Sequence, residues 1–155
     1  MDNGPMHTKG KVEMHGKQLN VVASSLRYYG MKSQVMPVTA SPFDLLVEGV
    51  ARVELKTARH PQLGPTSDLV QWQYNLHRHG IKTKGEVDFF VLVIPPMKHV
   101  GMAYSLYLVV PAKVIEHKFT CLVSYRTLLT KYSQYVNKWS LIKDFCTAKN
   151  GAQKP

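Results

Sequence analysis

The sequence predicts a single mixed α/β domain: a helix, a three-stranded antiparallel meander, a second helix, and further strands in a mixed sheet flanked by helices. Three observations carry this expectation. Apolar positions recur at helical spacing ahead of Gly30, two short β-rich runs adjoin across Glu48-Gly49, and two later runs are apolar on both faces. At 155 residues with 45% hydrophobic content, the chain is long enough to bury one core.

Residues 1 to 13 are polar and are expected to be loose. From His15 to Tyr29, Leu19, Val22, Ala23, Leu26 and Tyr29 follow the i, i+3, i+4, i+7 pattern of a helix packed on one side, and Gly30 ends it. Gln34 to Ala40 reads as the first strand. Phe43 to Glu48 and Val50 to Thr57 are the second and third, joined by a hairpin turn at Glu48-Gly49. Thr57 to Ser67, with Pro61, Gly64 and Pro65, is a loop beyond the third strand.

The second helix is expected over Leu69 to Arg78, with Ser67 as its N-cap, Asp68 at its positive end and Gly80 beyond its last turn. Leu69, Trp72 and Leu76 form its apolar stripe, with Gln73 and His77 at the edge. Val87 to Ile94 and Tyr104 to Val110 suit strands buried on both sides. Asp88 is read as a brace at a strand start. Ser124 opens a helix over Tyr125 to Tyr135, and Asn137 to Phe145 is a short amphipathic segment with Trp139 and Leu141 inward. The tail from Ala148 to Pro155 is expected to be disordered.

The chemistry concentrates in the hairpin. Side chains two apart on a strand share a face, so Glu54 and Lys56 project together, and Asp44 reaches that face from the neighbouring strand. Two carboxylates and a backbone carbonyl, that of Leu55, are a donor set for Mg²⁺, with Mn²⁺ as substitute; the ion keeps water as its remaining ligands. Such an ion activates a water and neutralises charge on an attacked phosphate. Lys56 adds a compact positive charge that stabilises the pentavalent phosphate or orients the water. The set fits phosphodiester hydrolysis.

These residues resemble the PD-(D/E)XK nuclease superfamily, the restriction-endonuclease-like group. The signature falls on Pro42-Phe43-Asp44 and Glu54-Leu55-Lys56, followed by a segment bearing glutamine, Leu69 to Arg78. By element order the resemblance spans residues 10 to 111. It implies Asp44 and Glu54 as metal ligands, Lys56 and Gln73 as catalytic groups, and an acidic position on the first helix for which Glu13, His15 and Gln18 are the candidates. Phe43 is an insertion between the proline and the aspartate.

The resemblance implies a Mg²⁺-dependent endonuclease acting on DNA. With no appended recognition domain, junction resolution of the Holliday-junction resolvase type is the first expectation. A homing or restriction-type endonuclease is the second, and a catalytically silent nucleic-acid-binding module of the same fold is the third. Cutting two strands calls for paired sites, hence a homodimer or a tetramer. Arg59 and His60 in the loop, with His77 and Arg78, are the candidates to meet the DNA; a solvated loop is the alternative for His60.

Composition agrees. Twenty Lys and Arg against ten Asp and Glu give a net charge of +10, which favours phosphate backbones. Lys131, Lys138 and Lys143 interleave with Tyr132, Tyr135 and Trp139, a mixture that serves either nucleic-acid binding or the core. Cys121 and Cys146 form no Cys-x-x-Cys pair, which excludes a zinc knuckle and a disulfide framework. No signal region and no membrane span is expected, which places the chain in a reducing cytoplasm.

Overall fold

The computed structural model describes residues 4–37, 41–62, 70–78, 81–82, 85–98 and 101–152. Helix α1 (Gly4–Tyr28) leads into β1 (Ser33–Val35), β2 (Leu45–Val47) and β3 (Ala51–Thr57), the expected meander. β4 (Arg59–Gln62), β5 (Gln71–Asn75), β6 (His77–Arg78) and β7 (Ile81–Lys82) follow, then the long strands β8 (Phe89–Ile94) and β9 (Leu106–Pro111). The chain ends with α2 (Ala112–Ile115), β10 (Thr120–Ser124), α3 (Tyr125–Leu129), a 3₁₀ turn at Ser133–Tyr135 and α4 (Ser140–Ala152).

Five strands form the main sheet in the order β1-β2-β3-β8-β9. All neighbours are antiparallel except β3 and β8, which run parallel with Val53 opposite Phe89. β4, β5 and β10 form a second sheet in the order β10-β5-β4, and β6 pairs with β7. The main sheet separates two apolar clusters. On one side Leu45, Val53, Leu55 and Val91 pack against Leu19, Val22 and Leu26 of α1 and Ile142 and Cys146 of α4. On the other, Phe90, Leu92, Leu108 and Val110 pack against Trp72 and Tyr74 of β5 and Cys121 and Val123 of β10. The layers are therefore helices, main sheet, small sheet. β8 lies between both clusters and is buried at every position, as its unbroken apolar run demands.

Local signals account for the ends of these elements. After α1 the amide of Gly30 donates to the Arg27 carbonyl and that of Met31 to Leu26, with Gly30 left-handed at φ 81°, a Schellman stop. The β2–β3 turn has φ 51° at Glu48 and 69° at Gly49, and the Val50 amide donates to Val47 across it. Both central residues are left-handed, the geometry that follows the twist of a hairpin. Ser124 caps α3 through a reciprocal box with Thr127. At the open end of the main sheet Asp88 braces two strand starts, accepting from the Arg52 amide at 2.8 Å and from Nε and Nη2 of its side chain.

Five expectations need correction. The stretch Thr57 to Ser67 is not all loop, since it contains β4 (Arg59–Gln62), which pairs with β5. The stretch Leu69 to Arg78 is not a second helix; its described part, from residue 70 on, is extended and contains β5. Gln71-Trp72-Gln73-Tyr74-Asn75-Leu76 alternates polar and apolar, so a strand buries Trp72, Tyr74 and Leu76 together while a helix would scatter them. α1 begins at Gly4, ahead of the expected His15 and inside the stretch expected to be loose. α4 runs to Ala152, so residues 148–152 are helical rather than disordered. The segment after Ser124 holds helix only to Leu129, then turns through Ser133–Tyr135. Both cysteines are free and buried, and no helix among the described residues is long and apolar enough to cross a membrane.

Candidate active site

The β2–β3 register pairs Leu45 with Val53, and one step further it sets Asp44 opposite Glu54. The Asp44 amide donates to the Val53 carbonyl at 3.0 Å, extending the ladder to this point. Leu55 and Val53 turn toward α1, so Glu54 and Lys56 turn to the other face of the sheet, the one covered by the small sheet. The hairpin thus brings Asp44 and Glu54 into one place, and both are almost fully buried at 4% and 3% exposure.

Buried acids need partners. Asp44 Oδ2 accepts from the Leu55 amide at 2.8 Å, and Oδ1 lies 3.4 Å from Nε2 of His15 on α1. Burial by itself raises the Asp44 pKa; hydrogen bonds from His15, Glu54 and the Leu55 amide outweigh it and hold the carboxyl down at about 2. Of the first-helix candidates, His15 is the one brought to Asp44. Gln18 accepts from the Tyr107 hydroxyl instead, and the Glu13 side chain lies outside the described residues. Leu55 contributes its amide to the site, bonded to Asp44; its carbonyl makes no described contact with either acid.

A hydrogen bond between Asp44 and Glu54 requires one proton between two carboxyl groups. A divalent cation meets the same requirement, so the donor set fits one. Among the described residues no group of three or more His, Cys, Asp and Glu side chains gathers as a metal cage. Two carboxylates with main-chain oxygen and water match a hard cation that keeps much of its hydration.

Lys56 donates from Nζ to the His77 carbonyl at 3.1 Å. His77 is held in turn: its amide donates to Asn75 Oδ1 at 3.0 Å, and its buried ring packs against Phe119. Its part in the site is therefore through the main chain, holding the lysine, which residue type alone does not signal. Gln73 is not brought to the acids. It stands exposed on the outer side of β5, opposite in direction to Trp72 and Tyr74. Arg59 and His60 lie in β4 and Arg78 in β6, but their side chains lie outside the described residues. His15 itself was legible, since it stands four residues before Leu19 and so shares the inward side of α1.

No family model matches the chain, and no curated protein matches it. Among solved structures it is similar to a bacterial homing endonuclease, I-Ssp6803I, with a TM-score of 0.61 at 16% sequence identity. The likeness covers 92% of this chain and 98% of that one. The two chains share a fold: a mixed α/β core with a five-stranded mixed sheet flanked by helices.

Proposed function

We propose that the chain is a metal-dependent DNA endonuclease of the PD-(D/E)XK kind that cuts duplex DNA as homing endonucleases do. The observation that carries this reading is the buried hairpin pair, Asp44 opposite Glu54, with Lys56 two residues on along the same strand. The fold likeness to a homing endonuclease spans nearly all of both chains and favours this reading over junction resolution.

Asp44 and Glu54 would hold Mg²⁺, or Mn²⁺ in its place, with the Leu55 carbonyl as a further donor. When bound, the ion supplies an activated water and neutralises charge on the attacked phosphate. His15 keeps Asp44 ionised and fixes its Oδ1. Lys56, oriented by the His77 carbonyl, sets its positive charge where negative charge develops on the phosphate. The +10 net charge of the chain favours its association with the DNA backbone. Two strands need two such centres, so the active species is a homodimer or a tetramer.

The test is incubation with Mg²⁺ and end-labelled duplex, a four-way junction of the same sequences alongside, and the Glu54→Ala protein as control. Cutting of duplex by the wild type but not by Glu54→Ala is the expected result. Paired nicks in the junction alone return the reading to a resolvase; no cutting of either substrate makes the chain a silent binding module.

A further inference from the structure

The small sheet presents an outer side that the described part of the fold leaves open. Its inner side, with Trp72, Tyr74, Cys121 and Val123, is sealed in the core and makes it rigid. On the outer side Gln73 is exposed and Leu122, its register partner on β10, is 53% exposed. Arg59 of β4 is the register partner of Gln73 on the other edge. In backbone register one row across three strands runs Leu122, Gln73, Arg59.

This row is tied to the cutting centre by two routes, through β4 and through the end of β5. Only Ala58 separates β3 from β4, so Arg59 follows Lys56 by three residues, a reach of about 10 Å along a strand. Gln73 stands one strand spacing further, about 5 Å. At the end of β5, Asn75 holds the His77 amide, and the His77 carbonyl holds Lys56. Given base pairs stacked about 3.4 Å apart, Gln73 addresses a base roughly three to four pairs from the attacked phosphate.

We propose that the outer side of the β4-β5-β10 sheet enters the major groove of duplex DNA and that Gln73 reads a base edge there. The proposal rests on the endonuclease reading above and adds where its sequence preference resides. A carboxamide offers one acceptor and two donors, the complement of the N7 and N6 edge of adenine; an exposed leucine beside it suits the thymine methyl. The major groove, about 12 Å wide, admits a two-stranded ribbon, so β5 with one neighbouring strand fits it. The net charge of +10 favours association of the chain as a whole with polyanionic duplex.

The wild-type protein is used to select its preferred site from duplexes with randomised sequence, and Gln73→Ala and Gln73→Arg are put through the same selection. For Gln73→Ala the preference at one position three to four pairs from the cut disappears, and the affinity ratio of selected to random duplex falls roughly ten- to a hundredfold. Gln73→Arg moves that position toward guanine. If Gln73→Ala selects the wild-type sequence with an unchanged ratio, the proposal is overturned. It is equally overturned if Leu122→Glu lowers the assembly mass by light scattering and leaves the selected sequence intact, since a second copy then occupies the face. A wild type that cuts without preference overturns this proposal alone; one that neither binds nor cuts any duplex overturns the endonuclease reading with it.

Discussion

His15 and Asp44 join the first helix to the hairpin: the imidazole Nε2 lies 3.4 Å from the carboxylate Oδ1, with the acid buried and the histidine one-third exposed. The contact crosses from a helix onto a strand end, so it fixes the position of the acid as well as its charge. Removing the imidazole by His15→Ala is expected to raise the Asp44 pKa from about 2 toward its ordinary value. Carboxyl-resolved NMR titration of the metal-free protein reads this directly. An unmoved value assigns the whole depression to Glu54 and the Leu55 amide.

The same depression makes stability depend on pH. Asp44 is ionised more readily folded than unfolded, so its contribution is complete above the unfolded value of 3.8 and is lost as pH falls through about 2. The loss is on the order of 2 kcal/mol. Urea unfolding of the metal-free protein between pH 5 and pH 2, with Asp44→Asn for comparison, is the measurement; the Asn protein should show a shallower fall. Parallel curves would place the acid sensitivity elsewhere.

Lys56 is predicted to act in turnover rather than in metal binding. Lys56→Ala should reduce the cleavage rate by roughly 10²- to 10³-fold, the scale of removing one donor aimed at developing charge. Calorimetry with Mn²⁺ should give the wild-type affinity. A large loss of metal binding would make the lysine a structural support for Glu54.

The Asp88 brace is predicted to be a matter of stability alone. Asp88→Ala leaves the Arg52 amide, Nε and Nη2 without their acceptor, with only Nη1 still donating to the Gly85 carbonyl, at a cost of roughly 1 to 3 kcal/mol. The melting temperature should fall while Mn²⁺ affinity stays at the wild-type value. Loss of metal binding in a protein that remains folded would assign Asp88 to the site.

The hairpin and its acids were legible because every signal there agrees: alternation on β3, a glycine at a left-handed turn, and acids at positions that a two-residue period brings to one face. β5 was not read as a strand because Trp72 and Leu76 are four apart, a spacing that helical and extended periods both satisfy. Tyr74 between them decides, being buried where a helix would turn it away. The correction moves Gln73 from beside the acids to the open side of a sheet. The hold of the His77 carbonyl on Lys56 was beyond sequence reasoning, since it depends on where two distant strands end.

The parallel pairing of β3 with β8 has a consequence for how the molecule comes into being. Asp44 and Glu54 can meet in a local hairpin soon after synthesis, but Val53 finds Phe89 only when a long stretch of later chain exists. Closing so distant a contact is slow, and until then β3 is an open sheet edge. The nascent chain therefore carries its acids before it carries the scaffold that holds Lys56. On the endonuclease reading the site is complete only once these distant pairings have formed, and a chain broken off before β8 is left with an open edge on β3.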